Sequence, residues 1–195
     1  MGFLDNLFGK KPAADRQAEK TAKADKAEKK DFSAVLEIAR LISSDDKAVT
    51  DRLGYCLERP KEYFAECAAR YRERGIDVNS RDEDTLYWIG MVDELSESGY
   101  LFGVDWKCEL EDFLWALEQI KTYPLISDVI PTVELSEDDD VSAWGEEINK
   151  ALGGKAFVCA VDIDSDSYEL IIVTAEVLEK IAALAGVMGH SIEDL

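Results

Sequence analysis

The stretch "AFVCAVDIDSDSYELIIVT", residues 156–174, constrains the fold more than any other part of the chain. Two apolar, β-branched runs flank a short segment of aspartates and serines. Runs of this kind read as buried strands. Asp and Ser tolerate turn backbone and hydrogen-bond their own main chain, so the segment between them reads as a hairpin connection. Elsewhere the period is helical. "DFSAVLEIARLIS" sets Phe32, Val35, Leu36, Ala39 and Ile42 at helical spacing, with Asp31 as the cap. Further helices are predicted over about 46–58, from Pro60 to Gly75, and from the capping-box pair Ser80 and Glu83 to Gly99. Three more are predicted over 109–120, 142–154 and 175–189, the last capped by Thr174. "YLFGVD", 100–105, reads as a buried strand. Helices come first, and β-α-α-β-β-α follows. That order predicts an α+β fold in which N-terminal helices precede a small sheet covered by helices.

Residues 1–30 stand apart from this pattern. "MGFLDNLFG" is an apolar cluster, and the Ala/Lys/Glu/Asp run behind it has no apolar stripe, so a flexible charged linker is expected there. Residues 31–195 are read as a single α+β domain. Charge divides at the same place. Residues 1–30 hold 8 Lys/Arg and 5 Asp/Glu, whereas the rest hold 14 and 37, net −23. A body this acidic repels nucleic-acid phosphates and attracts basic proteins or cations. Its densest patch is Glu134, Glu137, Asp138, Asp139 and Asp140.

Several chemistries lack their residues. The four cysteines form no C-x-x-C pair, and His190 is the only histidine. It follows the last helix and reads as a surface residue. A Cys/His zinc site has little to build on. No phosphate-loop, dinucleotide, zincin or nucleophile-elbow motif is present, and no cofactor is expected. The Cys usage and the lack of a signal-peptide pattern point to a reducing cytoplasm. No run approaches the roughly 20 apolar residues of a membrane span. Weak peripheral membrane contact is expected at most from residues 1–9. Nothing in the sequence reports the oligomeric state.

Asp162, Asp164 and Asp166 occupy the first three acidic positions of an EF-hand loop, but Ser167 and Val173 stand where Gly and the bidentate Glu belong. The segment is therefore a plain turn or a turn that also meets a partner or cation. Asp105 ends the earlier strand. Were strands 100–105 and 156–163 to pair in parallel, Asp105 and Asp162 or Asp164 would share a sheet edge and could act as acid and base. The competing role for Asp105 is to cap the following helix. Trp88, Trp106, Trp115 and Trp144 are expected in the core, with Trp106 and Tyr168 as candidate exposed anchors.

"GYLFGVDWKCELEDFLWAL", "WGEEINKAL" and "VDIDSDSYELIIV" together resemble a bacterial family catalogued as domain of unknown function 6630, over roughly residues 80–190. The resemblance implies a shared α+β fold and carries over no catalytic residues. The acidic, compact build is also similar in type to immunity proteins of bacterial toxin systems. Two functions follow as expectations. The first is a non-enzymatic module that binds a basic protein through its acidic surface. The second is a hydrolase using carboxylates at strand ends, with or without a divalent metal. An enzyme should hold at least two of Asp105, Asp162, Asp164 and Asp166 in one deep pocket. A binder should disperse them over a convex surface.

Overall fold

The computed structural model describes residues 32–79 and 82–195. The apolar cluster and linker expected over 1–30, the cap Asp31 and the cap Ser80 lie outside the described residues.

The helical half comprises α1 (Ser33–Ser43), α2 (Lys47–Glu58), α3 (Pro60–Glu66), α4 (Ala68–Glu73) and α5 (Glu83–Glu97). Its starts follow local chemistry. Asp46 accepts a hydrogen bond from Ala48 N, Pro60 occupies the first turn of α3, and Asp82 accepts from Thr85 N. The single helix expected from Pro60 to Gly75 is broken at Cys67. Arg70 Nη2 lies 2.8 Å from the Cys67 sulfur at this break.

The second half runs β1 (Phe102–Asp105), α6 (Leu110–Gln119), two short 3₁₀ turns, α7 (Val141–Leu152), β2 (Ala156–Val161), β3 (Ser167–Thr174), α8 (Ala175–Met188) and β4 (Ile192–Asp194). The four strands form one antiparallel sheet in the order β1-β3-β2-β4. The fold is α+β, with N-terminal helices followed by a sheet packed with helices. β2 and β3 form the expected hairpin, with Val161 opposite Glu169 and Ala156 opposite Thr174. Thr174 caps α8 through Val177 N.

Strand periodicity divides the core into two parts. Val158, Leu170 and Ile172 point to one face, where Phe113, Ala116 and Leu117 of α6 and Trp144 and Ile148 of α7 cover them. Cys159, Val161, Ile171 and Val173 point to the other, toward Ile181 and Ala185 of α8 and the cores of α1, α2 and α5. A helix layer on each face of an antiparallel sheet lets both strands of the hairpin be apolar on both sides.

Three expectations require correction here. β1 does not pair in parallel with β2, because β3 lies between them and runs antiparallel to both. β1 is also an edge strand, with Gly103 and Asp105 exposed, rather than a buried one. Finally, β4 was not foreseen. Three residues behind Gly-His-Ser, two of them acidic, give no periodic signal, and β4 forms because β2 offers it an unpaired edge at Cys159–Val161.

Candidate functional site

The hairpin tip is the natural centre, since β2 and β3 fix its ends. Asp162 Oδ1 accepts from Asp164 N at 2.8 Å, which holds Asp164 at the positive φ of 56° that Asp tolerates. The Asp162 backbone is pinned twice, by Ser191 O on its N–H and by Trp88 Nε1 on its carbonyl. Although β1 and β2 are not neighbours, both end beside this tip, and Trp106 N donates to Asp166 O. Asp105 Oδ1 accepts from Lys107 N. It thus closes a turn and does not cap α6, which starts too far along the chain.

The tip separates two concavities. On one side, Asp162 and Asp164 line a cleft of about 760 Å³ with Trp88, His190 and Arg74. On the other, Asp162 and Asp166 line a hollow of about 550 Å³ with Trp106, Tyr168 and, from β4, Glu193 and Asp194. The Tyr168 hydroxyl meets Ser142 Oγ at 2.9 Å, which ties this hollow to the start of α7. The acidic loop leads into that helix, and Asp140 is its cap, accepting from Ala143 N. Asp138 and Asp139 are exposed beside it. Glu137 points elsewhere, into a third groove of about 600 Å³ along α6. That groove is lined by Leu110, Leu114, Trp115, Glu109, Glu111 and Glu118.

The sequence-predicted residues therefore divide among three places. Trp106, Tyr168, Asp162 and Asp166 come together, Asp164 joins Asp162 in the larger cleft, and Asp105 lines none of the three. Among the described residues, no three His, Cys, Asp or Glu side chains converge to hold a metal ion.

The family model described as domain of unknown function (DUF6630) matches residues 34–195. The chain belongs to this family. No curated protein and no solved structure matches it.

Two residues of this DUF6630 domain depart from their expected places. Trp115 is 52% exposed, not in the core. It packs edge-on against Phe102 at 5.2 Å while Phe113, Ala116 and Leu117 take the buried face of α6. The signal was present in "LEDFLWALEQI": Leu114 and Trp115 fall outside the stripe 113, 116, 117, 120, so the helix carries more apolar surface than one core face can absorb. His190 is not a solvated surface residue. Its ring stacks on Trp88 at 4.2 Å and 3°, and Nε2 is sealed from solvent with no hydrogen-bond partner among the described residues.

Burial pushes the His190 pKa below its ordinary value, against the opposing pull of Asp84, Asp162 and Asp82. The unfolded chain then binds the proton more readily than the folded one. Stability should fall as pH drops from about 6.5 through the folded midpoint. The single imidazole makes this directly measurable. An NMR titration should place its midpoint below 6.5, and Trp88→Leu should move it back upward.

The largest departure in the DUF6630 domain is a buried ionic network. The polar side of α5 faces protein rather than water. Asp93 and Glu94 are 5% and 2% exposed. Glu94 accepts from the Tyr63 hydroxyl at 2.7 Å and from Arg70 Nη2 at 3.3 Å, with Arg52 Nε at 3.6 Å. Arg74 donates to Asp93 Oδ1 at 2.9 Å and reaches Glu169 at 3.9 Å. Glu169 lies over Gly103, where a Cβ would come within 2.9 Å of Oε2. Burial raises the pKa of both Asp93 and Glu169 above the carboxylate norm, and Arg74 opposes the shift. Burial pushes the thiol of Cys159, on β2, up to about 12, which keeps it protonated at neutral pH.

Proposed function

We propose that the protein is a binding module for a basic, amphipathic segment of another protein, and that α6 and the hairpin end of the sheet form its docking face. One observation carries this reading. Trp106 and Trp115, 51% and 52% exposed, each border a concavity walled by carboxylates. Large aromatics left in water beside a concave surface mark interaction sites, and tryptophan is the commonest anchor in them. The net −23 of residues 31–195 supplies long-range attraction for a cationic partner. The hydrolase alternative draws less support. Asp162 and Asp164 do share a cleft, but both are exposed neighbours on one turn, and no metal-ligating cluster stands among the described residues.

The test uses an 18-residue Leu/Lys amphipathic helix as probe and follows binding kinetics at two ionic strengths. Raising salt from about 50 to about 300 mM should slow association several-fold and change dissociation much less. Neutralising Glu109, Glu111 and Glu118 to Gln should lower the on-rate and flatten its salt dependence. Trp115→Ala should speed dissociation about tenfold. An on-rate indifferent to salt would remove the acidic face from recognition.

A further inference from the structure

The geometry points to the 760 Å³ cleft beside the hairpin tip as a binding pocket for an aliphatic organic cation, an ammonium or guanidinium group carried on a hydrocarbon stem. The cleft lies across the tip from the hollow of the docking face, and the two share Asp162, whereas Asp164 and Arg74 line the cleft and not that hollow. Its charged lining consists of Arg74, Asp162 and Asp164. Arg74 is already committed to two buried acids, Asp93 and Glu169. It therefore presents little uncompensated positive charge, and an anion would gain little there.

The hydrogen-bond inventory runs the same way. Three of the donors that line the cleft are spent within the protein: Trp88 Nε1 on the Asp162 carbonyl, Thr85 Oγ1 on Asp82, Arg74 Nη2 on Asp93. The acceptors are not. Asp162 Oδ2 and both carboxylate oxygens of Asp164 have no hydrogen bond among the described residues, and Asp162 Oδ1 is used only by the turn. A pocket that offers acceptors and negative charge selects a ligand rich in N–H donors. Ile76, Ile89 and Ile163 line the same cleft, and they suit a CH₂ stem of the kind that Lys and Arg bury beside apolar surface. The acceptor wall is held in place beforehand, because the Asp162 backbone is bonded on both sides and the turn is locked. Little ordering cost would then fall on binding.

His190 lines the cleft as the only histidine in the chain, so its ring signals report the site without ambiguity. The experiment titrates labelled full-length protein with three probes. Cadaverine represents a free amine, N-acetyl-arginine methylamide represents a protein side chain, and glutarate is the five-carbon dianion control. A cation should shift the His190 ring signals saturably, with a dissociation constant below about 1 mM, and glutarate should not. Whichever cation saturates first identifies the source of the group. Replacing both acids, Asp162→Asn with Asp164→Asn, keeps the turn's hydrogen bond and its positive φ, and should weaken binding about tenfold or more. The proposal is overturned if neither cation saturates below about 10 mM, if glutarate binds as well, or if the double variant binds like the parent.

Discussion

Arg74→Met should destabilise the protein by about 3–5 kcal/mol, the usual cost of removing one partner from a buried ion pair. For a chain of this size that corresponds to roughly 10 °C in the thermal midpoint. Arg74 is the only cation within 4.0 Å of Glu169 among the described residues, and it makes the only hydrogen bond to the Asp93 carboxylate. Asp93 would keep only Arg70 at 4.0 Å, and Glu169 only the Ser167 hydroxyl. Both acids are too buried for water to take over.

The loss should depend on pH with a definite sign. Burial already raises both carboxyl pKa values, and losing the guanidinium raises them further. In the variant, folding takes up protons at pH values where the unfolded acids, near their ordinary 3.8 and 4.5, have released them. Its stability therefore falls as pH rises through that window, and the deficit against the parent narrows on acidification toward about pH 5. Adding Asp93→Asn should restore part of the loss at neutral pH. Denaturant unfolding at about pH 5 and about pH 8 decides the matter. A deficit equal at both would mean that Arg74 contributes packing and not charge compensation.

The second large effect belongs to Asn149. This residue of α7 is 8% exposed and pairs with β2 as a strand would. Its Oδ1 accepts from Val158 N at 2.7 Å, and its Nδ2 donates to Val158 O and to Leu195 O. β4 pairs with β2 only at Cys159–Val161, so the side-chain amide continues the ladder where the strand does not reach. Asn149→Ala leaves Val158 N–H and Leu195 O without these partners, while Val158 O keeps Leu195 N. At about 1–3 kcal/mol for the buried Val158 N–H, and less for the part-buried Leu195 O, a loss of about 2 kcal/mol is expected. Asn149→Asp should fare no better, since a carboxylate supplies no donor for the two carbonyls. Hydrogen exchange at Val158 should rise sharply in Asn149→Ala, and at Leu195 in either variant. Unchanged protection there would show that the amide is not what holds β4.

The two variants also show why parts of the candidate site escaped sequence reading. Asn149 sits among Glu146, Glu147 and Lys150 and looks solvated. Asp93 and Glu94 look like the wet side of an amphipathic helix. In both cases a partner lies far along the chain, Leu195 for one and Arg52, Arg70 and Arg74 for the other. The exposed acids were legible because turn chemistry and charge density are local properties, whereas Trp106, expected in the core with an exposed anchor as the alternative, is 51% exposed. Trp115 was missed, although the excess apolar surface of α6 announced it.

What the sequence by itself determined is the set of local choices. The hairpin over 156–174 follows from β-branched runs around a turn-forming segment. The starts at Asp46, Pro60, Asp140 and Thr174 follow from capping chemistry. The α+β order follows from the change of hydrophobic period. Each rests on interactions between residues a few positions apart, which is the range over which a pattern is legible. Only the tertiary structure decided that β3 would lie between β1 and β2, that β4 would close the far edge, and that Arg74 would stand between Asp93 and Glu169. These depend on which surfaces remain unpaired once the local elements exist. Strand order is settled by burying both faces of the hairpin together, and buried charge by finding a counter-charge within about 4 Å, wherever in the chain it lies.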